Sequence, residues 1–373
     1  MNTLNILMKP SSGLCNLHCK YCFYADETQK REIASYGFMD EDTLRNIISK
    51  TLSSAQQECT FIYQGGEPSL IGLDFYKKSV EFQSQYNQNN IIIHNSIQTN
   101  GYGLDEEWCA FFAKHNFLVG ISLDGIRQTH DCNRVDAQGN GTYFHVLNFI
   151  DLLKKYKVEY NILTVINRQT CQKINRIYQQ YEKQDFHYQQ YIACLDPLYE
   201  TAGQELYSLT PLAYGKFLNE LFDLWYTDLI HGKQPYIRQF DNYIGILLGI
   251  QPEACEQRGI CGYQYVIESD GSVYPCDFYV LDEYRLGNLN EDSFEALDKK
   301  RSKLHFVEES TIHADSCKAC KYHFICRNGC RRHRIFVENE NGYLNYFCES
   351  YKMFFDKHLE QLKEIAMKIQ RGF

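Results

Sequence analysis

The sequence predicts an α/β protein, a partial (β/α)6 barrel of the TIM type followed by a cysteine-rich C-terminal domain. Three observations carry that expectation. Short apolar runs alternate with amphipathic stretches about six times between residues 4 and 192. The alternation then stops. Of the 16 cysteines, most fall into one early group and two late ones.

The first strand is expected at residues 4–8 (LNILM), with further strands at Thr60–Tyr63, Ile91–Ile97, Phe117–Ile121, Glu159–Val165 and Tyr188–Ile192. Helices are expected between them, at Asp40–Ser53, Asp74–Gln85, Asp105–Lys114, Phe144–Lys155 and Cys171–Lys183. Strand and helix in alternation predict parallel βα units, and six such units make an open barrel rather than a closed eight-fold one. A further helix near Pro211–Leu229 precedes the cysteine-rich end. The boundary is placed near residues 235–250, giving a barrel over 1–235 and a second domain over 236–373.

The bulk numbers exclude several classes. With 373 residues, 44% hydrophobic, 23% charged and a formal net charge of −9, the chain reads as an ordinary globular protein. A broad nucleic-acid surface would show a basic excess. MNTLNILMKP has no secretory pattern, and no stretch approaches a membrane span, so a cytoplasmic protein with no membrane or nucleic-acid partner is expected. In that setting clustered cysteines bind metal or do redox chemistry more often than they form disulfides. The scattered Cys59, Cys109, Cys132, Cys171 and Cys194 read as small buried apolar residues.

Cys15, Cys19 and Cys22 (CNLHCKYC) sit on the loop after the first expected strand, at the end where barrel enzymes keep their chemistry. Three thiolates suit three corners of a cubane cluster and leave the fourth iron open to chelate a small molecule. A structural zinc site wants four ligands, and His18, adjacent to Cys19, is awkwardly placed as the fourth. Gly65, Gly66, Glu67 and Pro68 (QGGEP) follow the second strand. The glycines let backbone approach a ligand, and Glu67 can accept from an ammonium group. The third and fourth strands end in polar QTNG and SLDG, which include Ser122 and Asp124. The guanidinium of Arg134 has the shape to pair with a carboxylate.

The late groups are denser. Cys255, Cys261 and Cys276 are followed by Cys317, Cys320, Cys326, Cys330 and Cys348. Eight thiolates are enough for two fully ligated [4Fe–4S] clusters. CxxC pairs also suit zinc, so two zinc ribbons stand as the alternative. Arg327, Arg331, Arg332 and Arg334 run through the group, either offsetting cluster charge, meeting an acidic partner, or forming a solvated face.

Cys15–Cys22, with Tyr21 before the last cysteine, and the QGGEP segment resemble the radical S-adenosylmethionine superfamily. The late cysteines resemble its SPASM signature. Over nearly the whole chain, segments such as YNILTVI, CLDPLYE and ESDGSVYPCDFYVLDEYRLGN resemble the anaerobic sulfatase-maturating enzymes. That resemblance implies three [4Fe–4S] clusters and bound S-adenosylmethionine. It implies cofactor contacts from Tyr21, Gly65, Gly66, Glu67, Ser122, Asp124, Arg134 and Leu195. It pairs Cys255, Cys261, Cys276 and Cys330 on one auxiliary cluster, and Cys317, Cys320, Cys326 and Cys348 on the other. It implies a 5′-deoxyadenosyl radical that takes hydrogen from Cβ of a sulfatase cysteine or serine, a base at Asp277, and a donor such as ferredoxin or flavodoxin. The product would be Cα-formylglycine. The bland reading of Asp277 is a turn or capping aspartate. The sequence leaves cysteine or serine preference open. An enzyme modifying another ribosomal peptide is the alternative, though only fourteen residues precede Cys15 where a leader-binding domain is expected. A non-catalytic iron–sulfur electron carrier would give QGGEP and the cysteine triad no role.

Overall fold

The computed structural model describes residues 3–372. Its strands are β1 (Thr3–Met8), β2 (Glu58–Tyr63), β3 (Ile92–Thr99), β4 (Phe117–Ser122), β5 (Tyr160–Ile166), β6 (Tyr188–Ala193), β7 (Tyr236–Ile237), β8 (Tyr265–Ile267), β9 (Ser272–Tyr274), β10 (Gly287–Asn288), β11 (Arg334–Val337) and β12 (Gly342–Asn345). The chain forms two compact units that alternate along the sequence.

The first unit holds the chain up to Leu123, His130–Asn161 and Tyr263–His305. Its strands run in the order β10-β9-β8-β1-β2-β3-β4. The pairs from β8 to β4 are parallel, and β9 and β10 are antiparallel additions. Leu4 lies opposite Cys59, Ile6 opposite Phe61 and Met8 opposite Tyr63. Ile6, Phe61, Ile97 and Val119 are completely buried, as expected of a sheet covered on its face by helices. The helix Glu41–Ser54 starts where the Asp40 carboxylate accepts the Thr43 amide at 2.7 Å. It buries Leu44, Ile47, Ile48, Thr51 and Leu52 along one stripe. Each fully buried Leu or Ile there contributes about 1.5–3 kcal/mol. Asp105 caps the helix Glu106–Lys114 in the same way.

The second unit holds Asp124–Thr129, Ile162–Gly262 and the chain from Phe306 onward. Here β5, β6 and β7 pair in parallel, with Thr164 opposite Tyr191 and Gln189 opposite Ile237. The long helix Cys348–Gln370 packs on the helix Pro211–Ile230. Phe222 meets Phe354 and His358 at ring distances of 5.5 and 4.4 Å. Gly215 permits this approach, since a Cβ there would lie 2.9 Å from Met353 Sδ. β11 and β12 form an antiparallel hairpin.

All six expected strands and all six expected helices form, with ends displaced by one to three residues. The place of β8 is a finding the sequence did not supply. Three buried residues of the cysteine-rich stretch join the open edge of β1 in parallel. No helix among the described residues is long and apolar enough to cross a membrane.

Candidate active site

The site begins where β1 ends. The backbone turns at Ser11–Gly13, and the loop that follows carries Cys15, Cys19 and Cys22. The QGGEP segment after β2 grips this loop: the amides of Gly66 and Glu67 donate to the carbonyls of Ser12 and Leu14 at 2.9 and 2.8 Å. A Cβ on Gly66 would stand 2.0 Å from the Leu14 carbonyl oxygen. The close approach that this glycine permits is therefore that of the cysteine loop itself. On the other side, Val135 and Asn133 carbonyls accept the amides of His18 and Lys20. Cys22 caps the helix Phe23–Gln29, its sulfur accepting from the Ala25 amide at 3.4 Å.

Glu67 is buried and fully engaged. Its Oε1 accepts from the Ser69 amide and hydroxyl and from Thr99 Oγ1 at 2.7 Å, and its Oε2 accepts from the Asn100 amide at 2.8 Å. Burial still raises its carboxyl above the usual range, with those four donors opposing the rise. A carboxylate offers about four lone-pair positions, so Oε2 keeps capacity for one more donor. Asn100 Nδ2 lies 3.9 Å from Cys15 Sγ, and Arg134 Nη1 lies 3.8 Å from Cys19 Sγ. Arg134 is buried, its guanidinium 5.5 Å from the ring of buried Tyr21. Ser122 ends β4.

Asp277 lies in the same unit, directly after Cys276 and the turn that follows β9. Its Oδ1 receives Lys9 Nζ at 2.5 Å and its Oδ2 receives Gln64 Nε2 at 2.9 Å. Lys9 is completely buried. Its ammonium also sits 3.7 Å from the centre of the Tyr24 ring. Sequence reasoning missed Lys9 and Gln64. The signal available for Lys9 is a lone cation directly after an apolar strand; Gln64 simply precedes the glycines.

In the second unit, Asp124 is completely buried and accepts the Val165 amide at 3.0 Å, tying the end of the SLDG segment to β5. Leu195 is buried beyond β6, and its carbonyl accepts the Cys194 thiol.

Two family models match, the radical SAM superfamily over residues 10–180 and an iron–sulfur cluster-binding domain, SPASM, over residues 255–321. The cysteine-type anaerobic sulfatase-maturating enzyme of Clostridium novyi (strain NT) is 46% identical over 368 residues, covering 98% of each chain. The chain belongs to the anaerobic sulfatase-maturating enzymes. The serine-type enzyme of Bacteroides thetaiotaomicron is 32% identical, covering 94% of this chain and 88% of that one. Among solved structures, native anSMEcpe with bound AdoMet and the Cp18Cys peptide superposes with a TM-score of 0.93 at 43% identity, covering 98% of this chain and 99% of that one. This protein is thus a radical S-adenosylmethionine oxidoreductase with iron–sulfur clusters.

The thiols of the second unit fit such clusters. Cys317, Cys320, Cys326 and Cys348 line one cavity, with Tyr322 and Tyr351 among its walls. Burial pushes the thiols of Cys317 and Cys326 up to about 11 and about 12. They stay protonated at neutral pH until metal draws them into thiolates. Burial also raises the Cys330 thiol, with Cys255 and Cys261 close enough to add to the effect. His313 and His323 stand beside Cys317, with ligand atoms of the three within 4.8 Å of one another. Neither histidine was singled out from the sequence.

The basic run turns inward. Arg331 donates to the Phe306 carbonyl and to Glu309, Arg332 to the Asp196 carbonyl, and Arg334 to the carbonyls of Asn328 and Gly329. Arg327 donates to the carbonyls of Phe324 and Gln257. These guanidiniums brace the cysteine loops. Of the scattered cysteines, Cys59, Cys109, Cys171 and Cys194 are buried as expected, and Cys132 is half-buried.

Proposed function

We propose that this enzyme oxidises the target cysteine of a sulfatase polypeptide to Cα-formylglycine, with Asp277 as the base. The cysteine-type relative, at 46% identity against 32% for the serine-type one, supports cysteine over serine. The observation that carries the role of Asp277 is its geometry. A buried carboxylate held by Lys9 and Gln64 directly follows Cys276.

When bound, the first cluster and S-adenosylmethionine supply the 5′-deoxyadenosyl radical that takes a hydrogen atom from the substrate Cβ. Cys15, Cys19 and Cys22 would hold that cluster, leaving one iron for the cofactor. Gly65, Gly66, Glu67, Tyr21, Ser122 and Arg134 of the first unit, and Asp124 and Leu195 of the second, would form the cofactor's surroundings. Asp277 accepts the thiol proton as the second electron leaves for an auxiliary cluster, and water then completes the aldehyde. Cys255, Cys261, Cys276 and Cys330 would hold one auxiliary cluster. Cys317, Cys320, Cys326 and Cys348 would hold the other, making three. We assign the catalytic segment to residues 1–235 and the auxiliary-cluster segment to 236–373. A low-potential donor such as ferredoxin or flavodoxin, in the cytoplasm, suits a one-electron reduction.

The test is incubation of the reconstituted enzyme with two sulfatase-derived peptides, one with cysteine and one with serine at the target. Strict anaerobiosis is kept, and formylglycine is read by mass spectrometry. The cysteine peptide should be converted faster. No formylglycine from either peptide, with iron complete, would overturn the proposal.

A further inference from the structure

Behind the Lys9–Asp277 pair lies a second buried ion pair that the reaction as described does not use. Glu268 ends the β8 edge and is completely buried. Arg31 Nη1 donates to its Oε1 at 2.6 Å, and both side chains are closed to solvent. The same Oε1 accepts the hydroxyl of Tyr24. Arg31 is itself held, donating through Nη2 to the Ala34 carbonyl at 2.8 Å. Tyr24 is buried, and its ring packs with Leu7, Val266, Tyr274 and Val280. The ring face carries the Lys9 ammonium. Two cations and two carboxylates thus alternate around one tyrosine.

A buried ammonium with a single carboxylate partner can swing on its four-carbon stem. The Tyr24 ring limits that freedom, since the ammonium gains a cation–π contact only where the ring stands. The ring in turn stands where its hydroxyl meets Glu268. We infer that Glu268, held by Arg31, is a positioning residue for the reaction: by fixing Tyr24 it seats Lys9 against Oδ1 and aims the Asp277 carboxylate at the substrate proton. This rests on the reading of Asp277 as the base.

The fixed orientation matters because a misplacement of about 1 Å at a reacting group costs about 10²-fold in rate. Changing Glu268 also leaves the Arg31 guanidinium buried without its partner, which destabilises the fold. The test therefore uses two variants, Glu268→Gln and the double Glu268→Gln/Arg31→Gln, in which no buried cation is left unpaired. Each is reconstituted, its iron counted, and 5′-deoxyadenosine and formylglycine peptide measured together over a range of peptide concentrations.

The expected result is a formylglycine yield per 5′-deoxyadenosine that falls about 10- to 100-fold, carried in kcat rather than KM, with iron content unchanged. Arg31→Lys, which keeps the cation, should retain most of the ratio. A pair that served folding alone would lower iron and thermal stability and leave the product ratio at the wild-type value. That result in the iron-replete double variant overturns the inference. Asp277→Asn is measured beside them. If it too keeps the wild-type ratio, the base assignment is what has failed. If it uncouples and the Glu268 variants do not, only the positioning role falls.

Discussion

The loop of Cys15, Cys19 and Cys22 and the cavity of Cys317, Cys320, Cys326 and Cys348 use one kind of side chain to opposite ends. On the loop, three thiols follow one another along a single turn, flanked by polar side chains from Asn100 and Arg134. In the cavity, four thiols converge from two short helices, a turn and the first residue of the helix Cys348–Gln370, between Tyr322 and Tyr351. Three ligands leave a cubane iron free to take up a substrate, and four close it. What separates a centre that does chemistry from one that passes electrons is the number of thiols and how fully they enclose the metal, since both regions are equally rich in cysteine.

The largest effect should come from removing the open centre. The variant Cys15→Ala/Cys19→Ala/Cys22→Ala should make no detectable 5′-deoxyadenosine with dithionite, and iron should drop from about 12 to about 8 per chain. Appreciable cofactor cleavage by that variant would break the comparison outright. Next, Asp277→Asn should lower formylglycine by about 10²–10⁴-fold while iron and cofactor cleavage persist. Full peptide conversion by an iron-replete sample would move the base elsewhere. The closed centre is probed by Cys326→Ala. It should lose about four irons and still cleave the cofactor, with formylglycine reduced about tenfold. If zinc rather than iron fills the late cysteines of the wild-type enzyme, the second half of the comparison is wrong. The smallest effect is expected at the loop's support. Gly66→Ala forces the Leu14 carbonyl away and should cost about 1–3 kcal/mol in thermal unfolding, with iron lost from the first centre before the others. Unchanged unfolding would mean that the loop yields freely.

Much of this was legible in the sequence because the signals are local. A period of two in β1 and β2, a capping aspartate before the helix Glu41–Ser54, and fixed cysteine spacings each lie within a few residues. What escaped is what depends on distant partners. Lys9 reads as an ordinary surface cation until the chain near Asp277 comes back to it. The arginines from Arg327 to Arg334 read equally as a solvated face, because their carbonyl partners carry no sequence signature. β8 has three residues, too few for a periodic pattern, and its place beside β1 is set by a tertiary edge rather than by its own composition. Glu268 was hidden for the same reason, since a carboxylate at the end of a short apolar run looks like a turn.

The pairing of β8 with β1 also bears on how the enzyme is made. Lys9 and Asp277 are 268 positions apart in the sequence. A ribosome adding about 5–20 residues per second needs on the order of 13–54 seconds to travel between them. Through that interval one edge of β1 is an unpaired template, open to strands of other nascent chains. The ammonium of Lys9 must meanwhile stay in water, because the carboxylate that makes its burial tolerable has not yet been synthesised. The protein cannot close this region ahead of its C-terminal third, so a chain cut short before β8 is expected to be a client for chaperones and proteases rather than a dormant enzyme.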